Sequence, residues 1–238
     1  MIYLIAIKSK FMKNTKINTG LLLFILFAIV LSINSCIKDD NCGPKYRTYE
    51  FVLPFELSPD QSVFHIGDTI TIFSSVKNPI YDRETKTNYQ LDSFKFYLTT
   101  TIFDMDTNLI DFQYLDHFKL LIDSSYSYFV FNYNSGSSDL NCQYNYKNNT
   151  YSIQYKLIPK KTGHFFFSQW SGINYNGGNQ HFSGQCDKTD IDAKVYMNGR
   201  NDNNFYLMNE AENKYYKTWN NNKEKYLDNG GYCFKVID

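Results

Sequence analysis

Residues 65–73 read His65-Ile66-Gly67-Asp68-Thr69-Ile70-Thr71-Ile72-Phe73, and this stretch decides the fold class. After the Gly-Asp pair, Ile70 and Ile72 point to one side of an extended chain and the residues between them point to the other. Period-two alternation of this kind indicates a β-strand that is buried on one face. We therefore predict a fold built from half-buried strands.

Strand-like stretches recur along the rest of the chain, separated by polar turns. The chain contains 21 Tyr and 20 Phe, and such aromatic enrichment favours strands over helices. Pro54 interrupts the predicted strand at residues 49–57, which suggests that this strand is an edge strand or contains a bulge. Short strands at this spacing predict a mainly β chain folded as a two-sheet β-sandwich. The further predicted strands are 49–57, 93–103, 126–133, 142–146, 150–158, 164–170 and 192–197.

The C-terminal part changes character. Apolar residues recur there at three- and four-residue steps, which predicts a helix with one apolar stripe: Phe205, Met208, Ala211 (or Glu212), Tyr215 and Trp219. Asn203 or Asn204 is placed to cap its start. Gly230 and Gly231 then stop the helix, and residues 232–237 are predicted as a final strand.

The Gly67-Asp68 entry followed by an alternating strand resembles extracellular immunoglobulin-like sandwich modules. This resemblance implies an immunoglobulin-like β-sandwich over residues 47–200. Residues 201–238, with the helix and the terminal strand, are expected to pack on the same domain.

The N-terminal segment is predicted to be a secretion signal. Lysines precede an apolar run at residues 21–31, and this run is shorter than the ~20 residues that a membrane-spanning helix needs. The segment Ser32-Ile33-Asn34-Ser35-Cys36 resembles the lipobox of bacterial lipoproteins, although Asn34 departs from the usual small or aliphatic residue. The resemblance implies cleavage after residue 35, a lipidated (palmitate-type) Cys36 and a tether over residues 36–46. The alternative is an ordinary signal peptide with Cys36 as a thiol.

Ile37-Lys38-Asp39-Asp40 resembles the export tag that follows the lipidated cysteine in surface lipoproteins of the Bacteroidetes group. The resemblance implies an outer-membrane lipoprotein at the cell surface, with the periplasmic face as the alternative. Translation is expected to start at Met12, which begins a compact basic segment, or else at Met1. The membrane is therefore one predicted partner, contacted through the lipid anchor.

Four further cysteines follow Cys36. Because an exported chain passes through an oxidising compartment, an even number of cysteines predicts two disulfides, in any of three pairings. A zinc site with His181 beside Cys186 is the competing hypothesis, but close Cys-x2-Cys or His-x3-His spacing is absent. We therefore expect no metal and no cofactor. The disulfide candidates are Cys42, Cys142, Cys186 and Cys233.

Charge and motifs exclude several classes of function. The chain carries 24 basic and 24 acidic residues, and removal of the four signal lysines leaves a net charge of −4. A mildly acidic domain lacks the basic surface that nucleic acid requires. The sequence contains no Gly-x-Ser-x-Gly, no His-Glu-x-x-His and no phosphate-binding glycine loop. We predict no catalytic residues, and a hydrolase of glycans or peptides remains the alternative.

Residues 170–181 carry the one predicted ligand site. They combine aromatic rings with Asn, Gln and His side chains, and sugars bind to such sets because rings stack on their C–H faces while amides bond their hydroxyls. The candidate residues are Trp170, Tyr175, Asn176 and His181. The competing interpretation is a polar loop in which Trp170 fills the core. A glycan or a surface protein is the predicted partner.

Overall fold

The computed structural model describes residues 47–92, 94–107, 113–133, 138–173 and 189–238. Fourteen strands lie within these ranges: β1 Arg47–Ser58, β2 Val63–His65, β3 Ile70–Lys77, β4 Ile80–Asp82, β5 Thr87–Tyr89, β6 Phe96–Asp104, β7 Phe118–Ile122, β8 Tyr128–Asn132, β9 Ser138–Gln143, β10 Asn145–Lys147, β11 Thr150–Pro159, β12 Gly163–Ile173, β13 Thr189–Met197 and β14 Tyr232–Ile237. The α-helices are α1 Lys214–Lys217 and α2 Lys223–Asp228. Four 3-10 helices span Gln113–His117, Asn198–Arg200, Phe205–Asn209 and Thr218–Asn221.

The strands form one sheet that folds over on itself. Its first layer has the order β1-β13-β12-β6-β9-β8, and β14 pairs with the first half of β12. The pairs are antiparallel except for β1 with β13 and β14 with β2, which are parallel. The second layer contains β3 and β11, flanked by β7 and β10.

Strand β1 joins the two layers. Residues 47–55 pair with β13, whereas residues 56–58 pair with β3. Pro54 lies between the pairing of Phe51 with β4 and the pairing of Glu56 with β3. The missing N–H of proline therefore falls where β1 changes partners, a position at which a strand tolerates it.

The main core lies between the two layers and is rich in aromatic rings. Tyr151 of β11 meets Phe96 of β6 edge to face, with ring centroids 4.9 Å apart. Phe118 of β7 meets Phe165 of β12 at the same separation. A buried hydrogen bond of 2.8 Å also crosses the core, between the hydroxyl groups of Tyr155 and Thr100. The predicted β-sandwich is therefore confirmed.

A second, smaller core covers the opposite side of β12 and β14. Phe166 and Cys233 contribute to it from the strands, Met105 contributes from the turn after β6, and residues 205–227 supply the rest. Phe166 stacks on the Tyr226 ring at 5.5 Å. The segments from residue 205 to 228 therefore cover part of the outer surface of the first layer. None of the helices in the described ranges combines the length and the apolar character that a membrane crossing requires.

The predicted helical C-terminus is confirmed, but as four short segments instead of one continuous stripe. Met208 and Ala211 are buried as predicted, whereas Tyr215 is exposed and its neighbour Tyr216 is buried. The predicted capping role of the asparagines is wrong. The Asn203 amide donates to Met197 O and the Asn204 amide donates to Cys233 O, because these side chains tie the segment to the strands.

Most predicted strands are confirmed, including the final one at residues 232–237. The stretch at residues 65–73 is divided, because Gly67 adopts a φ of +90° and turns the chain between β2 and β3. The short strands β4, β5 and β7 were not predicted. Their three to five residues contain too few positions to establish a period.

The disulfide prediction is wrong for the two described cysteines, since Cys142 and Cys233 are free, buried thiols. They lie in different cores, Cys142 between the layers and Cys233 under the helical segments. Each packs as a small apolar side chain. Burial raises the pKa of the Cys142 thiol to about 12 and that of Cys233 further still. Cys42 and Cys186 lie outside the described residues.

Candidate functional site

The outer face of the first layer is covered at one end and open at the other. Alternate residues of β12 point to this face, and their exposed fractions are 2% for Phe166, 4% for Ser168 and 63% for Trp170. Phe166 lies under the helical segments, and Ser168 contacts the carbonyl of Asn229 at their margin. Trp170 is the first outward side chain of β12 beyond this cover.

Trp170 begins a row of outward side chains that crosses four strands. It pairs with Thr99 of β6, Thr99 pairs with Asn141 of β9, and Asn141 pairs with Phe129 of β8. Strands lie about 4.8 Å apart, so Trp170 and Phe129 are separated by about 14 Å across the sheet. We call the outward side chains of β12 from Trp170 onward, together with those of β6, β9 and β8 in this row and in the two rows beside it, the outer face.

Hydrogen bonds orient the polar side chains of the outer face. The Thr99 hydroxyl donates to Asn141 Oδ1 at 2.8 Å, and the Thr101 hydroxyl donates to Asp139 Oδ1 at 2.6 Å. The Tyr133 phenol donates to Asp139 Oδ2 at 2.7 Å. Asp139 therefore accepts two hydrogen bonds, and both it (8% exposed) and Asn141 (7% exposed) are largely covered, so the outer face has a fixed polar strip between its aromatic ends.

A shallow depression lies beside Trp170. Gly172 follows it on the same face and pairs with Tyr97, which pairs with Gln143. A Cβ atom added at Gly172 would meet nothing within 4 Å. Next to it, a hollow of about 30 Å³ lies between Tyr97, Phe129 and Gln143, enough for a single hydroxyl group or water molecule.

The far end of the outer face is the strand β8. All five of its residues are exposed, and with Tyr133 they form what we call the aromatic edge, residues 128–133. Beside it, an open groove of about 700 Å³ runs between β7, β11 and the start of β8. Among the residues lining this groove, Asp123 is the sole carboxylate. The groove therefore contains one acid and one base, Asp123 and Lys156, and its lining residues include no pair of facing acids.

Other polar clusters of the described residues have structural partners. His164 Nδ1 lies 2.9 Å from Asp106 Oδ1, and its Nε2 lies 3.9 Å from Glu210 Oε2, so its partners are two carboxylates. A second open groove, of about 310 Å³, is lined in part by Glu56 and Asp60, and Asp60 accepts a hydrogen bond from the Tyr232 phenol. Within the described ranges, no three His, Cys, Asp or Glu side chains are arranged to hold a metal ion.

Trp170 is the only predicted ligand residue within the described ranges. The competing interpretation, in which it fills the core, is wrong, because strand alternation turns its side chain outward and leaves the indole exposed. Tyr175, Asn176 and His181 lie outside the described residues, as do Cys36 and the whole predicted signal and tether.

The aromatic edge was missed as a surface feature. Residues 128–131 read Tyr-Phe-Val-Phe, an apolar run on both faces of a strand, and such runs are typical of strands buried on both sides. An exposed apolar strand differs from a buried one in its position in the sheet, and that position depends on residues far away in the sequence. The uncharged sequence around it, residues 124–138, gives no further indication.

Comparisons with known proteins place the chain among no named group. No family model matches it, and no curated protein matches it in sequence. Solved structures with some likeness include the human F-spondin reeler domain, with 10% identity, a TM-score of 0.28, and coverage of 61% of this chain and 90% of that one. A non-cellulosomal cohesin from Archaeoglobus fulgidus has 10% identity and a TM-score of 0.27, covering 63% of this chain and 91% of that one. A type II cohesin dyad from the ScaA scaffoldin of Acetivibrio cellulolyticus has 13% identity and a TM-score of 0.28, covering 63% of this chain and 46% of that one. Scores this low carry no argument about what this chain does.

Proposed function

We propose that this chain is a non-catalytic binding domain displayed at a membrane surface, and that its outer face binds a glycan. The observation that carries the proposal is the step in exposure along β12, from 4% at Ser168 to 63% at Trp170. Trp170 has the largest exposed fraction among the large apolar side chains of the described ranges, and an exposed aromatic ring beside oriented polar groups is typical of a ligand site.

The chemistry of the outer face suits a sugar chain. An indole offers an apolar, electron-rich surface for the C–H face of a pyranose ring. Thr99 and Asn141 lie next to it in the row, and the hollow beside Tyr97 has room for one hydroxyl group. One row further along β12, Gly172 leaves open space on the same face. An extended glycan can therefore lie across the strands between Trp170 and Phe129.

The membrane anchor is proposed from residues 21–40 alone. The apolar run, the lipobox-like Cys36 and the Lys38-Asp39-Asp40 tag support a lipoprotein attached to the outer membrane and facing the cell exterior. Each buried methylene of an acyl chain contributes about 0.8 kcal/mol, so several chains hold the protein stably at the surface. Metabolic labelling with a fatty-acid analogue tests this, with Cys36→Ala as the unlabelled control. An unlabelled native chain would refute the anchor.

A hydrolase of glycans or peptides is the weaker candidate. Acid–base hydrolysis of a glycan needs two facing carboxyl groups about 5–10 Å apart on either side of the substrate. Asp139 is a carboxylate of the outer face in the row next to that of Trp170, and hydrogen bonds from Thr101 and Tyr133 already occupy both of its oxygens. This arrangement favours binding over catalysis.

Binding of the full chain to a glycan array tests the proposal, with Trp170→Ala as the test variant. We expect at least a tenfold loss of affinity for any glycan that the native chain binds, which corresponds to about 1.4 kcal/mol of lost contact. Tyr81→Ala is the matched control, because Tyr81 is 43% exposed on β4, on the opposite side of β1 from β13.

Gly172→Val is a second test that leaves Trp170 in place. Its side chain would occupy open space on the outer face, so we expect the variant to fold normally and to lose glycan affinity by steric exclusion. The proposal fails if the native chain binds no glycan, or if Trp170→Ala and Gly172→Val bind as the native chain does.

A further inference from the structure

The second layer has an outer surface of its own, on the side of the sandwich away from Trp170. Alternate residues of β3 and β11 are buried, and the residues between them point outward. Their partners on β1, β7 and β10 continue these outward rows across the layer. We call these outward side chains, together with Lys160 directly after β11, the basic face. It contains five exposed lysines: Lys77 on β3, Lys119 on β7, Lys147 on β10, Lys156 on β11, and Lys160.

Three of these lysines surround Ile158. Lys119 lies directly opposite Ile158 on the neighbouring strand, and Lys156 precedes Ile158 by two residues on the same face. Lys160 follows Ile158 by two residues, and its N–H donates to His117 O at 2.8 Å, which continues the contact between these two segments. Neighbouring positions on one face of a strand are about 7 Å apart, so the three lysines share one region of the surface.

The other two lysines lie at the opposite end of β11. Lys77 and Lys147 both pair with Thr150, one from each side. Because strands lie about 4.8 Å apart, the Cα atoms of these two lysines are about 10 Å apart. Six residues separate Thr150 from Lys156, which corresponds to about 20 Å along the strand. The lysines therefore spread along the whole of β11 instead of lining one groove.

The lysines of the basic face have no acidic partners. None of the five forms an ion pair or a side-chain hydrogen bond with another residue of the described ranges, whereas Lys161, Lys194 and Lys223 each form an ion pair. An unpaired lysine can bind an anion from another molecule without first losing a contact within its own chain. The charge of the basic face is therefore available to an external partner.

Few carboxylates offset this charge. Among the outward positions of the paired strands in this layer, Glu56 on β1 is the one carboxylate. Asp68, Asp116 and Asp123 lie just beyond strand ends, and Asp68 and Asp123 accept hydrogen bonds from nearby backbone N–H groups. The basic face is thus positive, although the chain without its signal has a net charge of −4.

We propose that the basic face lies against the anionic lipid headgroups of the membrane that carries the anchor. This inference rests on the proposed lipidation of Cys36. Lysines near a bilayer are attracted to its anionic headgroups, and a bilayer presents these groups over a plane, which suits lysines that spread over about 20 Å. The tether at residues 36–46 spans up to about 40 Å when extended, so it allows this contact, and the lysines select the face.

Contact between the basic face and the membrane fixes the direction in which the domain points. The basic face and the outer face belong to opposite layers of the sandwich. When the basic face lies on the bilayer, Trp170 points away from it. The proposed glycan site is then presented to the surroundings of the cell instead of to the membrane.

Acetylation of lysines in the full chain tests this orientation. The chain is bound to vesicles of phosphatidylcholine, or of an equimolar mixture with phosphatidylglycerol, and treated with acetic anhydride, and mass spectrometry measures the reaction of each lysine. We expect the five lysines of the basic face to react about fivefold more slowly on the anionic vesicles. Lys214 and Lys217 are internal controls with unchanged rates, because they are exposed on α1, in the helical segments that cover the other layer.

Charge reversal tests whether the lysines cause this protection. We expect the double variant Lys119→Glu, Lys156→Glu to weaken the protection of the other three lysines about fivefold or more. The matched control is Lys214→Glu, Lys217→Glu, which makes the same change of charge on the other layer and should leave the protection intact. All four side chains are exposed, so both variants should fold normally, as circular dichroism can verify. Salt at about 1 M, where the screening length is about 3 Å, should also remove the protection.

The proposal is overturned if the five lysines react equally on both kinds of vesicle, or if Lys214 and Lys217 are protected as strongly. Protection by dissolved polygalacturonate but not by anionic vesicles would also overturn it and assign the basic face to an acidic glycan. These outcomes are separable from the proposed function. A chain without its anchor fails to sediment with neutral vesicles, and its lysine rates on anionic vesicles still report the basic face. Trp170→Ala is expected to abolish glycan binding and to leave the lysine protection unchanged.

Discussion

Replacing Gly231 by alanine is expected to destabilise the domain through a steric clash. Gly231 connects α2 to β14, and its N–H donates to Tyr226 O at 2.9 Å. An ideal Cβ at this position would lie 2.6 Å from that same oxygen and 2.6 Å from Tyr226 Cδ2. Ordinary contacts of this kind begin at about 3.4 Å, so either the backbone or the buried Tyr226 ring must shift by most of an ångström.

The shift cannot be absorbed by a flexible side chain. The Tyr226 ring is fully buried and stacks on Phe166, and one of the clashing atoms belongs to the backbone. Overpacking of a well-filled core costs about 1–3 kcal/mol, and we expect about 2–3 kcal/mol here because both clashing groups are fixed. For a domain of this size each kcal/mol lowers Tm by about 2–4 °C, so the expected decrease is about 5–10 °C.

Thermal and urea denaturation of the full chain, followed by circular dichroism, measures this effect. Gly172→Ala is the matched control, because the same change there meets nothing within 4 Å and should alter stability by less than about 0.5 kcal/mol. If the two variants melt at the same temperature, the close approach of Gly231 to Tyr226 is not part of the folded state and the reasoning fails.

Two further predictions concern buried titratable groups. Burial raises the pKa of Cys142 to about 12 and that of Cys233 further, so neither thiol should react with iodoacetamide at pH 8 in the folded chain. Both thiols should react in guanidinium without any reductant. Mass spectrometry that finds either thiol in a disulfide would contradict this prediction. Burial, followed by repulsion from Lys161, lowers the pKa of His117 below its usual 6.5, so the unfolded chain binds a proton more readily and the folded state should lose stability as pH falls below 6.5 towards the lowered pKa. Urea midpoints between pH 8 and 5 measure the loss, and His117→Gln should reduce it; an unchanged slope in that variant would remove the assignment.

The strands of this protein could be predicted because their signal is local. Ile70 and Ile72 alternate with polar neighbours, and both are fully buried in the main core. The same is true of the glycines at 230 and 231, which end the helical region and precede β14 at the predicted residue. Alternation and turn residues act within a few positions, so a single sequence contains the information.

The helical region shows where local pattern was insufficient. Three- and four-residue spacing predicted one helix, but the segment must follow the outer surface of β12 and β14, and asparagine side chains hold it to Met197 and Cys233. With these tertiary hydrogen bonds the segment forms several short helical pieces, and Tyr216 is buried in place of Tyr215. Contacts with distant strands outweigh the intrinsic preference of so short a helix.

The sequence by itself determined the mainly β character, the positions of most long strands, the absence of nucleic-acid and common catalytic motifs, and the expectation of a lipidated N-terminus. The tertiary structure alone decided which apolar side chains meet water. Phe166, Ser168 and Trp170 share one face of one strand, yet only Trp170 is exposed, because the helical segments that arrive from residues 205–228 stop short of it. Likewise β8 is as apolar as a central strand and lies at the edge. The exposure of a side chain depends on which surfaces distant parts of the chain cover, and the periodicity within a strand does not predict this.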